Sequence, residues 1–294
     1  MTRKHNNGIK TTISPGMGIG LLACIFILAS IITSVIVTVL TTHMSNAGAA
    51  VRISIVLQDL IVFILPAIVT AMVMTRLPAR FLDIDNSPRL RPALLAVISL
   101  FAAFPLLNFI VAWNESLHLP AQYAGIEAQL RALEDAANST FDGIMNSASV
   151  PSLILSVLIV GVLAGLSEEL FFRGALQKLM MLTRVNPHVA IWVTAFIFSA
   201  VHFQFFGFVP RMLLGAYFGY LVWWTRCLWI PVIVHALNNS VVVVSKWIES
   251  RSGYECGIDS IGADPVGSSA ALVAVAVSVV LTVYLLILIR RESK

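Results

Sequence analysis

Charge is what this 294-residue chain has least of. Asp, Glu, Lys and Arg make up 12% of it, and hydrophobic residues make up 58%. A soluble domain carries about 25% charged residues. So little polar surface cannot solvate a globule of this size, so the solvent for most of the chain is lipid. Cysteine is scarce too. Cys24, Cys227 and Cys256 fit neither a CxxC metal knuckle nor a disulfide framework and read as packing residues. No Lys/Arg cluster carries interleaved aromatics, so the net charge of +4 points to membrane topology and away from nucleic acid. Polar–apolar alternation is missing as well, which excludes barrel strands and leaves helices, because lipid demands that every backbone polar group be paired internally. There is no convincing internal repeat to support an inverted-repeat transporter, and no HExxH to support an ordinary zincin helix.

What is there is a series of apolar runs, each about 20 residues long, the length a spanning helix needs. We place eight spans at 17–42, 51–75, 91–113, 150–182, 188–206, 210–225, 229–248 and 269–290. The expected fold is all-α, a polytopic transmembrane bundle with both termini cytoplasmic. The run from Met17 is too long for a signal-peptide core and reads as an uncleaved first helix. The last third of the fourth helix, Phe171 to Leu182, is expected to emerge along the cytoplasmic surface. With the N-terminus inside, the inner segments carry 13 Lys and Arg and the outer ones 5, Arg211 among the latter. That bias follows the positive-inside rule, and an odd number of spans would scramble it. The chain divides into an N-terminal membrane region (1–149, with an extracytoplasmic loop at 114–149), a core (150–250) and a final loop and helix (251–294). Residues 121–137 have the pattern of a short amphipathic helix on the outer surface. Gly16/Gly20, Gly161/Gly165 and Gly215/Gly219 are spaced for close helix packing.

Several side chains are costly in lipid. A charge at the bilayer centre costs roughly 2.5–3.5 kcal/mol on insertion scales, so such residues are paired or functional. Within 165–174, Glu169 and Arg173 are i and i+4 and can pair. Glu168, turned by about 100°, is left to face something else. Of six histidines, His202 and His235 lie well inside predicted spans, and His235 shares a helical face with Asn239. Glu168 lies 17 residues before the turn near Val185 and His202 lies 17 after it, so antiparallel helices bring them level. His235 matches that depth only if its helix starts deeper. A carboxylate beside a histidine can deprotonate water, directly or through a metal. A second histidine and an amide can donate to a developing oxyanion. Ser167 and Ser199 lack a dedicated base, so water-mediated peptide hydrolysis is the natural reaction class. Two other readings compete: a non-catalytic immunity or scaffold protein, and a proton-coupled transporter using Glu168. Gln58 and Asp59 would suit the transporter, although a capped polar pair facing the bundle explains them more simply.

Glu-Glu-x-x-x-Arg (168–173), Phe-x-x-x-His (198–202) and His-x-x-x-Asn (235–239), in order and on separate helices, resemble the three motifs of the CPBP family, the CAAX-protease and bacteriocin-processing (Abi) proteins. The resemblance covers about residues 150–250. It implies a glutamate-dependent intramembrane endopeptidase, a multi-pass protein of the cell membrane that acts on membrane-associated protein or peptide substrates. Carried over by position, Glu168 and His202 activate the water. His235 and Asn239 stabilise the oxyanion, or His235 helps bind a metal. Glu169 and Arg173 hold the geometry. Family members are commonly described as metalloproteases, and the resemblance admits Zn2+ held by Glu168, His202 and His235. With Asn as the remaining group, that would be an unusual zinc set.

Overall fold

The computed structural model describes residues 10–145, 149–253, 261–263 and 268–293. Arg3, Lys4, His5, Cys256 and Lys294, and parts of the loops at 114–149 and 251–268, lie outside the described residues. Among those described, all regular structure is helical: α1 (Pro15–Thr41), α2 (Ala47–Met74), α3 (Leu90–Glu115), α4 (Ala124–Met145), α5 (Val150–Leu182), α6 (Pro187–Ala200), α7 (Phe208–Thr225), α8 (Trp229–Ser252) and α9 (Ser269–Glu292). The helix starts follow local chemistry. Ser14, Asn46, Ser149, Asn186 and Ser268 each accept a backbone N–H of the first turn. Pro15, Pro151 and Pro187 sit where a missing N–H costs nothing. α7 and α8 end on left-handed residues, Arg226 (φ 55°) and Gly253 (φ 70°).

Six helices, α1, α2, α3, α5, α8 and α9, are long and apolar enough to cross a membrane. With the 18-residue α7 and the 14-residue α6 they form an all-α, multi-pass membrane bundle with the expected eight elements. α5 is its axis. Gly161 and Gly165 bring α5 against α8: a Cβ on Gly165 would lie 3.0 Å from the Ala236 backbone nitrogen. Gly215 and Gly219 do the same for α7, against Ala195, Phe198 and Ile191. Gly16 and Gly20 have open space around them and are not packing devices.

The structure changes further expectations. The end of α5 is covered by protein and does not lie on the outside of the bundle. Phe171 through Leu179 is buried, and Phe171, Phe172 and Leu179 belong to the main core cluster with Phe63, Met74 and Phe198. Lys178 is neutralised by Asp83 at 2.6 Å. Cys24 is exposed on the apolar flank of α1, so only Cys227 of the two described cysteines is packed. Gln58 is exposed, and Asp59 alone turns inward. Finally, α6 stops at Ala200, short of the predicted 206. The chain then runs irregularly to Gly207, with Phe203 at φ 55°. Such backbone persists at membrane depth only where protein groups satisfy it. Asn114 does so on both edges, its Nδ2 donating to the Phe205 carbonyl and its Oδ1 accepting from Val209 N–H. Glu134 of α4 accepts from Phe206 N–H at 3.2 Å.

Two π-helical turns in α5, Val157–Leu163 and Leu170–Gln177, flank the Ala164–Glu169 segment, and a third interrupts α2 at Gln58–Ile64 just before Pro66. Proline explains the third. Lacking an N–H and crowding the preceding turn, Pro66 cannot make the ordinary i→i−4 bond. Wide turns of this kind rotate the side chains beside them and recur at functional sites.

Candidate active site

The site is built on the segment between the two π turns of α5. Glu169 and Arg173 pair as their spacing predicts, Nη1 to Oε1 at 2.6 Å, with both side chains fully buried. The guanidinium also donates to the Gly215 carbonyl at 2.9 Å and lies over the Phe198 ring, 4.4 Å from its centroid. Glu169 does more than neutralise Arg173. The same Oε1 accepts from His235 Nδ1 at 2.9 Å. A carboxylate can only accept, so Nδ1 carries the hydrogen and Nε2 faces the site. Phe218 stacks on the imidazole at 4.7 Å and fixes the ring plane.

Glu168 is the carboxylate that Arg173 leaves over. Its Oε2 lies 3.7 Å from His235 Nε2, and its side chain is 15% exposed while Glu169 is not exposed at all. His202 sits in the irregular turn after α6, not within a helix. Its Nδ1 donates to the Phe198 carbonyl at 2.8 Å, which turns Nε2 away from the backbone. It interacts electrostatically with both Glu168 and His235. Phe198 is the hub between these groups: its ring meets His202 at 5.3 Å, His235 at 5.9 Å and Phe172 at 5.2 Å. Glu168, Glu169, Arg173 and His235 are therefore in direct contact, and His202 joins them through Phe198. Asn239 stands one turn further along α8, where its Nδ2 donates to the Val160 carbonyl at 3.2 Å and its Oδ1 accepts from Asn238.

The depth condition on His235 is met by the way α8 begins. Leu228 N–H donates to the Asp83 carbonyl, and the Asp83 side chain pairs with Lys178, ten residues beyond Glu168. α8 thus starts level with Lys178. Asn86 and Ile84 complete the clamp by accepting or donating bonds at Arg226, Cys227 and Trp229.

Several participants carry no motif signal. Gly215 and Phe218 on α7 close the site from behind. Asp59 Oδ1 accepts from Ser167 Oγ at 2.7 Å, which ties α2 to the residue next to Glu168. Arg211, counted among the outer charges in the topology, belongs to the first turn of α7, where it interacts electrostatically with Glu168. The charge count placed it on the outer side because it is the second residue of the predicted 210–225 span; the helix begins at Phe208. α4 is longer than expected and holds the His202 turn from outside. Glu134 accepts from Gln204 and Phe206, and Arg131 lies 4.1 Å over the Phe206 ring.

The donor types suit a metal: one carboxylate and two imidazoles whose Nδ1 atoms are held by other groups. Their placement does not. Among the described residues no three His, Cys, Asp or Glu are gathered closely enough to hold an ion.

Residues 150–241 match a family model, that of the type II CAAX prenyl endopeptidase Rce1-like proteins. The matched stretch contains Glu168 through Asn239, so the core with its three motifs is Rce1-like, in agreement with the CPBP resemblance. Over that stretch the chain is similar to CAAX-protease-type enzymes, and it lies in a bundle with six helices long and apolar enough to cross a membrane. No curated protein and no solved structure matches the chain.

Proposed function

We propose that the protein is an intramembrane endopeptidase that hydrolyses peptide bonds of membrane-associated proteins or peptides with water activated by Glu168 and His202. The observation that carries this reading is the unequal fate of the two adjacent glutamates. Glu169 is consumed by Arg173 and His235, whereas Glu168 keeps a partly exposed carboxylate 3.7 Å from an oriented imidazole. In this reading Glu168 takes a proton from water as the hydroxyl adds to the scissile carbonyl carbon, and His202 holds that water. The second hydrogen of the Asn239 amide donates to the oxyanion, and so does His235 Nε2 when the ring is doubly protonated, its Nδ1–H staying on Glu169. Glu168 then returns its proton to the leaving nitrogen as the C–N bond breaks. General base catalysis of this kind contributes about 10²–10⁴ in rate. Oxyanion donors contribute about 10²–10³ each. The orientation, with both termini and the arginine-rich end in the cytoplasm, belongs to the same proposal, and so does residence in the cell membrane.

The test is a panel of lipid-anchored C-terminal peptides presented to the purified protein in liposomes, with wild type beside Glu168→Ala and His202→Ala. Cleavage by wild type alone supports the proposal. Cleavage of no peptide by wild type, or of the same peptides by Glu168→Ala, overturns it.

A further inference from the structure

Arg211 is outside all three motifs, yet its surroundings are those of a binding group. Its Nη2 donates to Gln204 Oε1 at 2.7 Å, while its Nη1 is buried and has no hydrogen-bond partner. The guanidinium lies against Gly207, where a Cβ would come within 3.2 Å of Nη2. A side chain at 207 would push the guanidinium off the backbone. It interacts electrostatically with Glu168 and with Glu134 of α4, and it acts on His202. Neither carboxylate completes it by a hydrogen bond: Glu134 is bonded to Gln204 and Phe206 N–H, and Glu168 faces His235. Arg173 is better served, with a carboxylate on Nη1 and a carbonyl on Nη2, although its Nε is buried without a partner. A half-buried guanidinium bonded to one neutral amide, with a buried N–H left unmet, is costly unless an anion joins it. Its planar fork suits a carboxylate.

Resting on the protease reading, we propose that Arg211 anchors a carboxylate of the substrate, so that the enzyme prefers peptides bearing a carboxylate a few residues from the bond that is cut. Two sources share that chemistry, the free C-terminus and an Asp or Glu side chain. The anion enters between α4 and the His202 turn, where Gln204 and Glu134 hold the guanidinium from the outer side. It completes the fork without displacing Glu168 from His235.

The experiment measures binding apart from cleavage. The protein is Glu168→Gln in detergent, with and without Arg211→Gln, and the probes are N-palmitoyl-Ala-Ala-Ala as free acid, the same peptide as its amide, and N-palmitoyl-Ala-Asp-Ala amide. We expect Glu168→Gln to bind the free acid, the Asp peptide or both at least about tenfold more tightly than the plain amide, the size of one charge-assisted pair. That preference disappears with Arg211→Gln and is partly restored by Arg211→Lys, which keeps the charge but loses the fork. The acid against the Asp peptide assigns the source. Equal binding of all three probes, no binding of any, or a preference that survives Arg211→Gln in a variant that melts like its parent overturns the proposal. A preserved preference in a protein that cleaves nothing would sink the protease reading and leave the anchor standing.

Discussion

Replacing Arg173 with Met separates the two roles of the buried pair. The substitution keeps most of the side-chain volume between Phe198 and Phe218 but leaves Glu169 fully buried, with His235 Nδ1 as its remaining partner. Removing one member of a buried ion pair typically costs about 3–5 kcal/mol, because the other charge is left uncompensated. At about 2–4 °C per kcal/mol for a large domain, the melting temperature should fall by roughly 6–20 °C. Glu169→Gln/Arg173→Met removes both charges, and replacing a buried pair by neutral groups of similar shape is often close to neutral. The double variant should therefore recover most of the lost stability. It should not recover full activity. The Gln carbonyl can still accept from His235 Nδ1, but the charge behind the imidazole is gone, and losses of about 10–100-fold follow from changes of that kind behind a working histidine. Thermal unfolding in detergent, followed by labelling of the buried Cys227 thiol, reads the first quantity, and cleavage rate reads the second. If the single variant melts within 2–3 °C of wild type, a shift of at most about 1.5 kcal/mol by the same conversion, the pair is not the buried charge pair described here. If the double variant is no more stable than the single, the cost does not lie in the charge.

Other outcomes follow from the same contacts. Gly165→Ala places a Cβ 3.0 Å from backbone of Ala236, which cannot swing aside as a side chain would. Overpacking of this kind costs about 1–3 kcal/mol, and a melt unchanged from wild type would contradict the α5–α8 contact. At the outer loop, the hydrogen bond from His118, the Leu119 N–H and Arg131 hold the Glu127 carboxyl down at about 2, from an ordinary 4.5. A depressed carboxylate adds stability above its unfolded pKa and loses it as pH falls through the folded one. The 117–131 turn should therefore resist pepsin at pH 4.5 and yield towards pH 2, while Glu127→Gln is cut equally at both. The donor placement predicts that dialysis against chelator leaves cleavage intact. Loss on chelation, with recovery by Zn2+ alone, would show that Glu168, His202 and His235 close around an ion when one is present.

The sequence announces the bundle clearly because lipid makes hydropathy and length decisive. Each of the eight predicted spans has its helix. The Glu169–Arg173 pair was legible from i,i+4 spacing, and Glu168 was legible as its remainder. Less legible was anything decided between helices. Phe171 to Leu182 was expected to surface because the helix is too long for a simple span, but its polar residues find buried partners: Arg173 on Glu169 of its own helix and Gly215 of α7, Gln177 on Gly219 of α7, and Lys178 on Asp83 of the turn before α3. Periodicity cannot report such pairings. The end of α6 at Ala200 was hidden because the residues that satisfy the broken backbone, Asn114 and Glu134, lie far away in the chain. Glu169's second role, orienting His235, depends on α8 starting level with Lys178, which only the Asp83 clamp reveals. Arg211 could have been singled out by its place among apolar residues at 205–216, a charge at odds with its neighbours.

The central claim is that Glu168, not Glu169, is the base. The most direct measurement is kcat/KM for wild type, Glu168→Gln and Glu169→Gln on the anchored peptide that wild type cleaves fastest. Glu168→Gln should lose at least about 10² in rate while melting close to wild type, since its carboxylate is partly exposed and its contact with His235 Nε2 is long, at 3.7 Å. Glu169→Gln should lose stability first and activity in proportion. A Glu168→Gln enzyme that cleaves at the wild-type rate would contradict the account.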